Sequence, residues 1–110
     1  MQGYESLFEC FQWLIENNRA ANLRDCWLDL IEYEKKRLFC ESKSSEAKSV
    51  LINAEKLCDK VEQKDIEERQ KALSDLECFS REKHTCLMPA IHSWTEFLRQ
   101  ENKNVPEYHY

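Results

Sequence analysis

Glycine and proline are nearly absent from this sequence. It contains one glycine, Gly3, and two prolines, Pro89 and Pro106. The stretch between Tyr4 and Met88 therefore lacks the two residue types that most easily form tight β-turns, which disfavours a sheet. Because no glycine follows position 3, the sequence also excludes the glycine-rich phosphate-binding loops of the usual nucleotide-binding folds.

Long apolar runs and an excess of positive charge are missing as well. No apolar run approaches the roughly 20 residues that cross a bilayer, so membrane insertion is not expected. The net charge is -5, whereas a surface that binds nucleic acid or an anionic membrane needs a concentrated basic face. The N-terminus lacks the basic-then-apolar order of a signal peptide. We therefore expect an intracellular location, cytoplasmic or nuclear, although a mature secreted protein would also lack that segment.

Apolar residues are abundant and recur at steps of three and four, which is typical of amphipathic helices. Hydrophobic residues make up 42% of the 110-residue chain and charged residues 34%, enough for one folded core with a solvated exterior. The sequence predicts an all-α fold, a compact bundle of four to five amphipathic helices with short connections. Residues 1–103 are expected to form the single domain and residues 104–110 an extended C-terminal tail, since Pro106 interrupts helical periodicity there.

Local signals divide the chain into helices. The first is predicted over about residues 4–17 and the second over about 21–40; the alternative is one helix that continues across the asparagines at 17 and 18. A third helix follows the serines at 42, 44 and 45 and carries apolar residues up to Val61. Asp65 is predicted to cap the fourth helix by accepting from the backbone at position 68. Pro89 either opens a fifth helix or kinks the fourth.

Each predicted helix carries one apolar stripe, which is expected to face the core. On the third helix the stripe is narrow and comprises Val50, Leu51, Ala54, Leu57, Cys58 and Val61. On the fourth helix and beyond it comprises Ile66, Leu73, Leu76, Phe79 and Leu87, continued by Ile91, Trp94, Phe97 and Leu98.

Six cysteines are spread along the chain, and an even number permits disulfides. Their proportion is nevertheless below the roughly 8–10% of small disulfide scaffolds. Cys10, Cys26 and Cys58 fall at helical spacing from apolar residues, where a free thiol packs as a small hydrophobic group. The sequence therefore favours reduced cysteines, and the alternative is a secreted, disulfide-linked helical ligand.

No arrangement of residues favours catalysis. Cys86 lies two residues from His84 and six from His92, whereas side chains on one helix face are three or four apart. Cys78, His84, Cys86 and His92 could in principle bind zinc, but their spacing does not match that of structural zinc sites. The sequence predicts no enzyme activity, no catalytic residue, no metal and no cofactor.

Apolar side chains outside the predicted stripes indicate a surface that binds another protein. Trp13 points away from the first helix's stripe, and Leu28 and Phe39 share a second face of their helix. In the tail, Tyr108 and Tyr110 are large side chains where a terminus is usually polar. These five residues are the candidate partner-binding residues. A second copy of the chain and a different protein are both open as the partner. The alternative is that neighbouring helices or the bundle itself cover these side chains.

One family resemblance supports the same class of function. The stretches FQWLIEN at 11–17, NL at 22–23 and WLDLIEYEK at 27–35 resemble the central helices of regulator-of-G-protein-signalling domains, which are all-helical and bind Gα subunits. The likeness covers about a quarter of the chain, has an extra residue between Asn22 and Trp27, and implies no particular contact residue. The overall length also resembles a spectrin-type repeat, from which Pro89 departs. The sequence thus predicts a protein–protein interaction module, such as an adaptor, a scaffold or a subunit of a complex.

Overall fold

The chain folds into five helices in the part that the computed structural model describes, residues 6–37 and 45–101. The helices are α1 (Leu7–Glu16), α2 (Leu23–Arg37), α3 (Ser45–Val61), α4 (Ile66–Glu82) and α5 (Met88–Glu101). These ranges contain no strand. The predicted all-α bundle of four to five helices is therefore confirmed.

α1 and α2 are separate helices because the backbone reverses between them. The side chain of Ser6 caps α1 by accepting a hydrogen bond from the Glu9 N–H at 3.2 Å. Past the end of α1, Asn18 has a φ of 59°, a left-handed conformation that asparagine tolerates better than most residues. Asn22 then accepts from the Asp25 N–H at 2.9 Å and caps the start of α2.

α3 and α4 form a hairpin around the cap that the sequence predicts. The carboxylate of Asp65 accepts from the backbone N–H groups of Glu67 and Glu68, at 2.9 and 3.4 Å. The acidic first turn of α4 also complements the positive end of the helix dipole. Because the connection is short, the two helices are antiparallel neighbours.

Pro89 opens a fifth helix and does not kink the fourth. α4 ends at Glu82, turns follow, and α5 begins at Met88. Pro89 is thus the second residue of α5, where the missing N–H would have no partner within the helix.

α2 is central, since it packs against each of the other four helices. An aromatic cluster joins it to its neighbours. Phe11 lies edge-on to Trp27 and to Trp94, with ring centroids 5.4 and 5.8 Å apart, and Phe79 lies 6.5 Å from Trp27. Rings from α1, α2, α4 and α5 thus meet within the largely aliphatic core, in the T-shaped arrangement that aromatic pairs prefer.

Three cysteines belong to this core. Cys10, Cys26 and Cys58 are buried free thiols, whereas Cys78 is exposed and Cys86 half-buried; these two are also free. The prediction that the first three pack as small hydrophobic groups is confirmed. Cys40 lies outside the described residues.

The predicted stripe of α4 is partly wrong. Leu76 is buried and Phe79 half-buried, but Ile66 and Leu73 of the same stripe are exposed. On α5, Phe97 is exposed as well. These side chains have the correct helical spacing, but the described residues cover them only in part; Phe97, for example, packs on the Tyr33 ring with 5.3 Å between the centroids. Within the same described ranges, no helix combines the length and the apolar composition of a membrane span.

Candidate interaction surface

Four large apolar side chains are exposed among the described residues: Ile52 at 55%, Ile66 at 64%, Leu73 at 38% and Phe97 at 40% of their full areas. Single exposed apolar residues are common on any protein surface. An exposed apolar residue indicates a binding surface only where it adjoins other apolar groups in a concave site. Of these four, Ile52 meets that condition.

Ile52 lies at the edge of a mostly apolar groove of about 230 Å³ between α2 and α3. The groove is lined by Ile31, Glu34 and Lys35 of α2 and by Lys48, Leu51, Ile52 and Glu55 of α3. We call it the Ile52 groove. Ile31 and Leu51 are buried and form its apolar floor, while Ile52 extends that apolar surface to the outside.

Charged groups surround the groove, and most of them are engaged. The ammonium of Lys35 forms an ion pair with the carboxylate of Glu55, which joins α2 to α3 across the groove. Glu34 is buried and has an interaction of its own. Lys48 is exposed, and no ion pair involves it in the part of the chain that the structure describes. The rim thus carries one uncommitted positive charge beside an exposed apolar side chain.

A second depression, which we call the Leu28 cleft, is wider and far more polar. Its volume is about 570 Å³, and its lining comprises Asn18, Arg19, Ala20, Ala21, Asp25, Leu28, Asp29 and Glu32. Burial, followed by the neighbouring charge of Asp25, raises the pKa of the Asp29 carboxyl above its usual value. Three carboxylates and one guanidinium line this cleft. The Leu28 cleft is therefore a less favourable site for an apolar side chain of a partner than the Ile52 groove.

The structure places the candidate residues from the sequence in different settings. Trp13 and Leu28 are half-buried and pack against the core, so the protein's own helices cover part of each side chain. Leu28 also lines the cleft named after it. Phe39, Tyr108 and Tyr110 lie outside the described residues. The proposed binding role of these five residues stays a prediction.

Two of the residues considered as zinc ligands, His84 and Cys86, contact the backbone of their own turn. The His84 ring lies 3.0 Å from the carbonyl of Arg81, and the Cys86 thiol donates to the carbonyl of Lys83 at 3.3 Å. Both contacts are to backbone oxygens in the same turn. In the described ranges, no group of three histidine, cysteine or acidic side chains could hold a metal ion.

The pKa values of the buried and half-buried thiols are raised. Burial raises the pKa of the Cys26 thiol to about 12 and that of Cys58 to about 11, and it raises the pKa of Cys10 well above the ordinary value. Burial also raises the pKa of the half-buried Cys86. Nucleophilic cysteines need the opposite shift, so these four thiols are protonated at neutral pH and suited to packing.

Sequence reasoning missed Ile52, although a signal for it exists. The stripe of α3 is centred near Ala54 and Val61, and a turn of roughly 100° per residue places Ile52 almost opposite that centre. Ile52 is therefore off its helix's stripe in the same way as Trp13. The pattern alone could have identified it as surplus apolar surface, but not the groove beside it, which needs the position of α2.

The chain matches no protein-family model, and no curated protein and no solved structure is significantly similar to it.

Proposed function

We propose that this protein is a non-enzymatic protein–protein interaction module, and that the Ile52 groove receives apolar side chains of its partner. The observation that carries the proposal is the exposure of Ile52 next to the buried floor residues Ile31 and Leu51. An apolar side chain that enters this groove loses contact with water and gains contact with three branched aliphatic side chains. Complete burial of such a side chain stabilises a complex by about 1.5–3 kcal/mol.

The shape of the site favours a helical or extended segment as the bound element. Two neighbouring helices provide the walls, which is the arrangement that binds an amphipathic helix by its apolar face. Leu28 and Ile31 are three residues apart on α2, so they lie on adjoining faces of that helix. A partner that covers the groove would therefore reach Leu28 as well. In this arrangement Leu28 contacts the partner, as the sequence predicts.

A module of this kind acts as an adaptor, a scaffold or a subunit, and its partner is either a different protein or a second copy of the chain.

The test compares two matched substitutions. Ile52→Asp places a charge at the edge of the groove, and Ile66→Asp makes the same change at an exposed isoleucine of α4 that does not line it. Quantitative affinity capture from the native source is performed with the wild type and both variants, and sedimentation velocity measures self-association of each. We expect that a partner, or the self-associated species, is lost with Ile52→Asp and retained with Ile66→Asp.

A thermal unfolding curve of each variant serves as the control for folding, since both positions are exposed and both variants should fold. If the wild type and the two variants bind the same proteins to the same extent and have the same mass in solution, the groove has no binding role and the proposal is wrong.

A further inference from the structure

We infer that the segment recognised by the Ile52 groove carries a carboxylate within about one helical turn of its apolar anchor, and that Lys48 pairs with that carboxylate. This inference rests on the proposed function and specifies the chemistry of the partner. It excludes a basic segment and a purely apolar one as the preferred ligand.

Lys48 and Ile52 are four residues apart on α3, so their side chains are neighbours on one face of the helix. Both line the groove, and both are exposed. A partner that buries Ile52 therefore brings its own adjacent residues within reach of the Lys48 ammonium.

The charged side chains around the groove differ in whether they are already paired. Lys35 and Glu55 neutralise each other, and Glu34 is buried with an interaction of its own. Lys48 has no ion-pair partner among residues 6–37 and 45–101. Glu34 also lines the groove, but its side chain is buried, so Lys48 is the exposed charge there without an ion-pair partner among the described residues. A cationic partner group beside the Lys48 ammonium would be repelled by it, whereas a carboxylate would be attracted to it.

An exposed ion pair contributes little affinity, so the apolar contact supplies most of it and the ion pair selects among apolar ligands. Charge reversal at Lys48 should therefore weaken binding by about five-fold without abolishing it. The effect should diminish as salt is added, because the pair is exposed to solvent.

The experiment pans a random 16-residue peptide library displayed on phage against the full chain. Individual selected peptides are then titrated by fluorescence anisotropy against the wild type and the variants Ile52→Asp, Lys48→Glu and Lys71→Glu. Lys71 is exposed on α4, outside the groove lining, and provides the matched charge reversal. The expected result is a set of peptides that require Ile52, carry Asp or Glu within four residues of an apolar anchor, and lose about five-fold in affinity with Lys48→Glu only.

A second titration strengthens the assignment. Replacing the peptide's acid by lysine should weaken binding to the wild type and restore it to Lys48→Glu. If the selected peptides require Ile52 but show no acidic preference, or respond equally to Lys48→Glu and Lys71→Glu, the carboxylate inference is wrong while the proposed function stands. If no selected peptide depends on Ile52, both the carboxylate inference and the proposed function are contradicted. If a second copy of the chain occupies the groove in an Ile52-dependent dimer, the inference of an acidic peptide ligand fails while the proposed function stands.

Discussion

The indole N–H of Trp27 on α2 donates a hydrogen bond to the backbone carbonyl of Leu76 on α4, with 3.1 Å between nitrogen and oxygen. Both residues are fully buried. The bond fixes the rotation of one of the two buried tryptophans and joins the central helix to α4 at the aromatic cluster. A buried indole without an acceptor would be destabilising, so this contact permits tryptophan at the centre of the core.

Replacing Trp27 by phenylalanine should lower the free energy of unfolding by about 2–3 kcal/mol, because it removes the hydrogen bond and leaves unfilled volume in the core. Urea unfolding monitored by circular dichroism measures the change. Trp13→Phe is the matched control, and its smaller effect should follow from the half-buried position of Trp13. Equal losses for the two variants would contradict the assigned role of Trp27.

Removing the N-cap of α4 by Asp65→Ala should destabilise the protein by about 1 kcal/mol, since the N–H groups of Glu67 and Glu68 lose their acceptor. Asp65→Asn keeps an oxygen in the capping position and should retain most of the stability. Midpoints of urea unfolding distinguish the two variants. If asparagine destabilises as much as alanine, the contribution is electrostatic and the capping geometry is not its source.

The exposed and buried parts of the α4 stripe should respond differently to truncation. Leu76→Ala should reduce stability by about 2–5 kcal/mol, the range for a fully buried leucine, whereas Ile66→Ala should change it by less than about 0.5 kcal/mol. Thermal and chemical unfolding of the two variants provides the comparison. A large loss at Ile66 would show that other parts of the chain cover this residue.

Stability should decrease in alkaline solution because of the buried thiols. A thiol with a raised pKa in the folded state stays protonated there while the unfolded chain loses its proton. The stabilising contribution is therefore complete below pH 9, and it is lost as the pH rises through about 11 for Cys58 and about 12 for Cys26. Each pH unit between the unfolded and folded titrations corresponds to about 1.4 kcal/mol for one group.

The measurement is the free energy of unfolding as a function of pH for the wild type, Cys26→Ala and Cys78→Ala. The alkaline decrease should be shallower in Cys26→Ala, while Cys78→Ala, which removes an exposed thiol, should retain most of it. If the wild type and Cys26→Ala show parallel pH profiles, Cys26 does not ionise on unfolding in the way the burial implies.

Much of the fold could be predicted because its signals are local. The cap at Asp65 depends on residues within one turn, and so does the start of a helix at Pro89, for which the sequence left two alternatives. Cys10, Cys26 and Cys58 could be assigned to the core from their spacing to apolar neighbours. The failures concern Ile66, Leu73 and Phe97, whose spacing fits a buried stripe but which the described neighbours cover only in part.

The candidate site was only partly predictable, for the same reason. Trp13 and Leu28 are off the stripes of their helices, as the sequence indicates, but the protein's own helices cover part of each. Ile52 is off its stripe too, and it is exposed beside a groove. Sequence periodicity treats these three residues alike, because it measures direction around one helix and contains no information about the neighbouring helix.

Local sequence signals were enough to predict that this protein is helical, that Asp65 caps α4, and that three of its thiols are packed among apolar side chains. Those properties follow from the rotation per residue and from contacts within a turn or two. Which surplus apolar side chains the bundle covers depends on where α2 lies between its four neighbours, and that information comes from the packing of the helices. The Ile52 groove exists because α2 and α3 pack closely enough to bury Ile31 and Leu51 but not Ile52.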